Sequence, residues 1–138
     1  MNIHFADRIC EAVTAKKSPL TVGLDPVYER IPPDIKERHN SSSPDHANQL
    51  EAINDFCLQT LSIIAPLVPA VKINIAYFEK YASRGLETYQ NLVGKAAKLG
   101  LMVIGDIKRG DIGHSAAMYA EAHLGPSAGT AAPDAVTV

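Results

Sequence analysis

Cysteine is scarce in this chain: Cys10 and Cys57 are the only two in 138 residues. They form no CxxC pair and have no histidine cluster at ligand spacing, so neither a zinc site nor a disulfide framework is expected. Both thiols read as small core residues. Aromatic residues make up 6% of the chain and the formal net charge is -2, so there is no basic footprint and nucleic acid is not expected as a partner. Phosphorylated small molecules remain compatible with that balance. Long apolar runs are also missing. The stretch 61–78 is broken by Pro66, Pro69 and Lys72, which excludes a spanning helix there. With no signal-peptide pattern at the start, the expectations are no membrane association and a cytoplasmic location. A GxGxxG fingerprint does not follow the first strand, which counts against a dinucleotide-binding sheet.

What is present is 46% hydrophobic residues, enough to bury a core, and we expect one domain over residues 1–138. Phe5, Ile9, Ala12 and Val13 recur at helical spacing and predict a helix covering one end of a sheet. Residues 20–25, LTVGLD, predict a strand that ends in an acid before Pro26. Residues 27–43 are rich in Pro, Ser and alternating charge and predict a long loop with at most one helical turn. Ser43 and Pro44 resemble an N-cap and first helical position. Leu50, Ile53, Cys57, Leu61 and Ile64 then form the stripe of a long helix that Pro66 ends.

Residues 68–74 predict the second strand, with Lys72 near its end. A lysine snorkelling at a strand end is ordinary when taken alone. Tyr77, Phe78 and Tyr81 predict a short helical packing cluster. Leu86, Tyr89, Leu92, Val93, Ala96 and Leu99 mark the next helix, with Gly100 at the left-handed cap position. A third strand follows from 101, then a helix over 116–124 capped by Ser115 and stopped by Gly125 and Pro126. Residues 134–138, DAVTV, predict a fourth strand. Strands and helices in alternation imply a parallel α/β arrangement with right-handed crossovers. Charges at the C-terminal ends of three strands are what a (β/α)8 barrel enzyme would show.

The richest stretch is 101–115, LMVIGDIKRGDIGHS. Met102, Ile104, Asp106 and Lys108 share one parity, so in an extended strand they project from one face. Gly110 and Gly113 allow a tight turn that would bring Asp111 near Lys108. A solvated loop of charges is the competing reading. The shared parity, the glycines and Lys72 at a similar strand end weigh against it, because a strand buried on both faces has no stability reason to end in ionisable groups. Asp25, Lys72, Asp106, Lys108 and Asp111 then form an alternating network of carboxylates and ammoniums. The acids offset the desolvation that would deprotonate a lysine. Such a lysine suits a reaction that develops a carbanion. A Schiff-base lysine needs a depressed pKa, which the adjacent acids oppose.

The motif DIKRGDIG at 106–113, with GLDP at 23–26 and Val71-Lys72 between them, resembles the orotidine 5'-phosphate decarboxylase family, specifically its bacterial branch. Residues 134–138 resemble that branch's fourth strand. The resemblance implies a (β/α)8 TIM barrel in which Lys108 protonates the carbon losing CO2 and Asp106 lies beside the departing carboxylate. It also implies that Lys72 bridges the ribose and the network, that Asp25 binds a ribose hydroxyl, and that Asp111 reaches the neighbouring subunit's site in a homodimer. The implied substrate is a small-molecule nucleotide, with no cofactor and no metal, and the implied product is UMP in de novo pyrimidine synthesis.

Such a barrel takes about 250 residues, so the expectation is the N-terminal half: about four β/α units with an extra N-terminal helix. We expect this apparent truncation to be inactive or very weak alone and to associate through its open edges. Two alternatives stand: a magnesium-dependent sugar-phosphate decarboxylase of the same superfamily, or a non-catalytic half-barrel fragment that only self-associates. His4, His39, His46, His114 and His123 read as surface or helix residues, and Asn74 and Tyr77 either line the site or pack.

Overall fold

The computed structural model describes residues 4–39, 46–125 and 131–138. The elements in chain order are α1 (Phe5–Lys16), β1 (Thr21–Leu24), a 3-10 turn (Tyr28–Arg30), α2 (Pro33–Arg38) and α3 (His46–Ile64). After these come β2 (Ala70–Asn74), α4 (Ala76–Glu79), α5 (Ala82–Lys98), β3 (Met102–Asp106), α6 (Gly113–Leu124) and β4 (Ala135–Val136). The four strands lie in the order β1-β2-β3-β4, and every pairing is parallel. One row across the sheet reads Gly23, Lys72, Ile104, Ala135, and the next rows toward the C-terminal ends pair Ile73 with Gly105 and Asn74 with Asp106.

The two faces of the sheet differ. Leu24, Val71, Ile73 and Val103 point to one side and are buried at 2% exposure or less, in a core completed by Ile53, Cys57 and Leu61 of α3, Phe78 of α4, and Leu92, Val93 and Ala96 of α5. These are the stripe residues of the long helices, so periodicity and burial agree. Side chains alternate across a strand, which puts Gly23, Lys72, Ile104 and Ala135 on the other side, where none of the four is fully buried. The sequence reading of a third strand buried on both faces therefore fails for Ile104. Helices cover one face along its length; on the other, Ala70 and Met102 near the foot and Asp106 at the rim are buried, while the middle row with Lys72 and Ile104 stays partly exposed.

At the N-terminal ends of the strands, α1 lies across the foot of the sheet, as its periodicity predicts. Phe5, Ile9, Ala12 and Val13 form a half-buried stripe, and no residue of this helix is fully buried. Arg8 pairs with Asp134, and Lys16 Nζ donates to the Ala65 carbonyl (2.7 Å). Asp134 Oδ2 accepts from the Val103 amide (2.7 Å) and its own amide donates to the Val103 carbonyl (2.8 Å), so it stitches the start of β4 to β3. Cys10 is exposed, not a core residue, because it falls on the outward side of the Ile9–Val13 stripe. Cys57 is buried as expected, and burial pushes its thiol up to about 12.

Other expectations are also corrected. Residues 27–43 contain a 3-10 turn and α2, more than the single helical turn expected, because Ile31 and Ile35 are buried and anchor the segment on α3. Arg38 and His39 then meet Asp55 of α3 at 3.1 and 3.0 Å. The Ser43-Pro44 cap lies outside the described residues. Helix α6 begins at Gly113 after an extended Ile112, so Ser115 sits inside the helix and caps nothing. Gly100 has φ 78, the left-handed geometry its cap position predicts. Gly105 has a packing reason: a Cβ there would sit 2.7 Å from Tyr89 Oη, so α5 seats this closely on β3 only where residue 105 has no side chain. Among the described residues no helix is long and apolar enough to cross a membrane.

Candidate active site at the C-terminal rim

Strand β2 delivers Lys72 and β3 delivers Asp106 to the same face, two rows apart in the register. Lys72 Nζ donates to Asp106 Oδ2 at 2.7 Å, and Lys108 Nζ donates to Asp106 Oδ1 at 2.6 Å. Asp25 Oδ1, from the residue after β1, stands 3.8 Å from Lys72 Nζ. The sequence-predicted charges thus converge at one rim, in the order Asp25, Lys72, Asp106, Lys108. Asp106 is 6% exposed and is the buried charged residue at the centre. Hydrogen bonds from Lys108, Lys72 and Thr137, in that order, hold its carboxyl far below the usual carboxylate range against the opposing effect of burial. Lys72 is shifted up from the ordinary lysine value, chiefly by its bond to Asp106 and against the opposing effect of burial. Both groups therefore stay charged at neutral pH, as alternation requires.

The route to Lys108 differs from the expected one. The strand ends at Asp106, Ile107 is buried, and Lys108 adopts φ 50, a left-handed backbone that is costly for a residue with a side chain, about 1–2 kcal/mol. Its side chain folds back onto Asp106, where the parity argument places it, although the strand does not continue that far. Thr137 offsets this strain. Its hydroxyl accepts from the Lys108 amide (3.1 Å) and donates to Asp106 Oδ1 (2.8 Å), while its amide donates to the Gly105 carbonyl (3.0 Å). Thr137 was absent from the sequence-based site. What places it is the pairing of Ile104 with Ala135, a register the sequence does not reveal, which sets Thr137 two residues on, beside Asp106.

Asp111 does not join the network in this chain. It is exposed, and its Oδ1 accepts from the neighbouring Ile112 amide (2.7 Å). The turn at Gly110 feeds directly into α6, and the Asp111 carboxylate is engaged there by the Ile112 amide. Arg109 was not singled out either. Its guanidinium donates to Glu79 Oε1 (2.5 Å) and to the Ile107 carbonyl (2.7 Å), joining α4 to the segment after β3. These groups border a cavity of about 560 Å³ between Pro26 and Val27 on one side, Asn74 and Tyr77 on another, and Asp106 to Arg109 on the third. Asn74 Oδ1 also accepts from the Ala76 amide (3.1 Å), so it lines this cavity and starts α4 as well. Behind the sheet, the buried Tyr89 hydroxyl has no hydrogen-bond partner among the described residues, and burial, with the Asp106 charge second, pushes it up to about 12. Among the described residues, no three His, Cys, Asp or Glu side chains gather as a metal-ligand set.

Four parallel strands, helices on one face and charges gathered at the strands' C-terminal ends define a class: a partial (β/α) barrel with an enzyme-type rim. Comparison with known proteins agrees. The chain is 34% identical over 137 residues to the orotidine 5'-phosphate decarboxylase of Rhodopirellula baltica, covering 97% of this chain and 45% of that protein. It is 36% identical over 118 residues to the Petrotoga mobilis protein of that name, covering 86% of this chain and 38% of the relative. A crystal structure of a putative orotidine 5'-phosphate decarboxylase from Streptomyces avermitilis superposes with TM-score 0.69 at 30% identity, covering 89% of this chain and 40% of that one. The Plasmodium berghei enzyme, at 18% identity and TM-score 0.71, shares the fold. A sequence model of the orotidine 5'-phosphate decarboxylase / HUMPS family matches residues 18–138. The chain belongs to this family, and it spans less than half the length of these curated relatives.

Proposed function

We propose that this chain carries the ammonium and carboxylate half of an orotidine 5'-phosphate decarboxylase site, which forms UMP in pyrimidine synthesis. The observation that carries the reading is the single buried carboxylate of Asp106 held between two ammoniums, Lys72 at 2.7 Å and Lys108 at 2.6 Å. In the reaction the bond from the pyrimidine carbon to its carboxylate breaks, CO2 leaves, and the electron pair left on that carbon takes a proton from Lys108 Nζ. Lys108 is the more exposed of the two lysines, at 63% against 33% for Lys72. It borders the cavity, so it is the one a substrate can approach. Asp106 keeps the ammoniums charged and sits beside the departing carboxylate. Lys72, shared with Asp25, orients that acid, and both contact the ribose. A fixed ammonium where negative charge develops stabilises the transition state more than the ground state.

We further propose that the chain alone turns substrate over very weakly, since its site opens onto an uncovered sheet face and binding energy from remote substrate groups lowers the barrier at the reacting carbon. Asp111, exposed and bonded to the Ile112 amide rather than to its own network, is the residue offered to a neighbouring subunit's site. The test joins this chain, in cis or as a separate polypeptide, to the remainder of a relative's barrel and measures loss of orotidine 5'-phosphate. Turnover that Lys108→Ala abolishes and a chelator leaves unchanged supports the reading. A folded assembly without turnover, or turnover indifferent to Lys108→Ala, overturns it, and loss with a chelator points to a magnesium-dependent relative.

A further inference from the structure

We infer that Arg109 and Glu79 are positioning residues for Lys108: together they fix the peptide bond that sets the lysine's left-handed turn and so hold its ammonium against Asp106. The catalytic consequence rests on the decarboxylase reading, whereas the turn rests on geometry alone. The peptide between Ile107 and Lys108 is held at both ends. Its N–H donates to the Thr137 hydroxyl (3.1 Å), and its carbonyl accepts from the Arg109 guanidinium (2.7 Å). A side chain that bonds the carbonyl two residues back closes a ring across Lys108, so the backbone cannot swing there without breaking it. Restraint is needed at this residue, because Lys108 has φ 50, a region that a residue with a side chain readily leaves.

Arg109 is itself anchored outside the turn. The other arm of its guanidinium donates to Glu79 Oε1 (2.5 Å), on the last residue of α4. Helix α4 follows directly on β2, the strand that carries Lys72, so the fork ties the segment bearing Lys108 to the segment bearing Lys72. The two ammoniums meet opposite oxygens of Asp106 at 2.7 and 2.6 Å, and a relative slip of their segments would be felt there. A planar guanidinium can serve two acceptors at once in fixed directions, which a lysine's single ammonium cannot. The ion pair is 32% and 38% exposed, a setting in which such a pair adds little to stability. Its work is therefore local. Both residues border the rim cavity, but the two terminal nitrogens of Arg109 are committed to the protein, which separates holding Lys108 from binding substrate.

The test has two arms. In this chain, isotope-labelled and studied alone or within the assembled barrel, backbone NMR follows Lys108, whose left-handed turn has its own Cα and Hα shifts and whose amide is bonded to Thr137. Arg109→Ala and Glu79→Ala should each move those shifts toward averaged values and speed exchange of the Lys108 amide about tenfold or more. The Val103 amide, bonded to Asp134 at the foot, should keep its rate. In the assembled enzyme each variant should lower kcat by roughly 10- to 100-fold with KM nearly unchanged, the scale of a catalytic group displaced by about 1 Å. The double variant should lose no more than the worse single one, since the two residues act as a unit. Glu79→Gln, which keeps an acceptor oxygen, should restore most of the shift and the rate, and Arg109→Lys should restore neither. Arg84→Ala, which removes an exposed ion pair to Glu51, should change nothing in either arm. Unchanged Lys108 signals in both alanine variants overturn the inference, as do additive losses or a rise in KM alone, which would make Arg109 a substrate contact. The NMR arm needs no turnover, so an assembly inactive in the parent sinks the decarboxylase reading while the spectrum still decides what holds the turn.

Discussion

At the foot of the sheet, Asp134 meets a guanidinium from α1 and a strand amide; at the rim, Asp106 meets two ammoniums and a threonine hydroxyl. Both are carboxylates at strand ends with short bonds to partners distant in sequence, yet they do different work. The foot carboxylate joins three elements, and its cation is 44% exposed and committed to it. The rim carboxylate has cations to spare, and one of them borders a cavity. A pair in which charges are matched and the geometry is filled stabilises the fold, whereas a carboxylate that holds two ammoniums, one of them exposed beside a cavity, leaves that one available for a ligand.

The contrast has a counterpart across the sheet, and the largest expected effect tests it there. Ile73→Ala on the helix-covered face should cost about 2–5 kcal/mol in urea unfolding, the range for a large-to-small change in a closed core. Ile104→Ala on the open face should cost much less, under about 1 kcal/mol, since that side chain keeps water contact. Equal losses would show that something covers the open face in solution.

The next effect sharpens foot against rim. Asp106→Ala leaves two ammoniums beside an apolar gap. Because both retain contact with water, the loss should fall below the roughly 3–5 kcal/mol of breaking a fully buried pair, while the assembled enzyme loses its turnover. Asp134→Ala should destabilise by removing the stitch to β3 but leave the rim, and hence catalysis per folded molecule, unchanged.

Stability against pH gives the third test. The native Asp106 carboxyl is depressed, so its contribution is present above the unfolded value of about 3.9 and is lost as pH falls through the lower native value. Asp106→Asn should flatten that acid limb. Tyr89 is raised to about 12, so its contribution is complete below the unfolded value of about 10 and is lost as pH rises from there toward 12. Tyr89→Phe should flatten the alkaline limb. The smallest effect is at the bridge itself. Thr137→Val should cost about 1 kcal/mol, the usual net worth of a hydrogen bond, and Thr137→Ser should recover most of it.

Much of this arrangement was legible in the sequence, because the signals were local. The stripe from Leu50 to Leu61 and the stripe from Tyr89 to Ala96 are the buried helix faces, and strand parity placed Lys72, Asp106 and Lys108 together. Long-range pairing was less legible. Thr137 reaches Asp106 only because β4 pairs with β3 in one particular register, and no periodicity in residues 134–138 reveals which strand they will join. Ile31 and Ile35 were masked by the prolines and charges around them, although their spacing of four is helical. Whether Asp111 would bond Lys108 in its own chain was not legible for a third reason: a glycine permits a turn without dictating its direction.

The fastening of α1 to the foot has a bearing on how the chain forms. Arg8 and its partner Asp134 lie 126 residues apart, so the first helix lacks this clamp until β4 has formed, although Lys16 already reaches the Ala65 carbonyl. Contacts this remote along the chain slow the search for the native arrangement, and the apolar stripe of Phe5, Ile9 and Val13 stays unsheltered through that interval. The first helix therefore waits for the fourth strand, and a helper that shields short amphipathic stretches would have its longest window of action at residues 5–16.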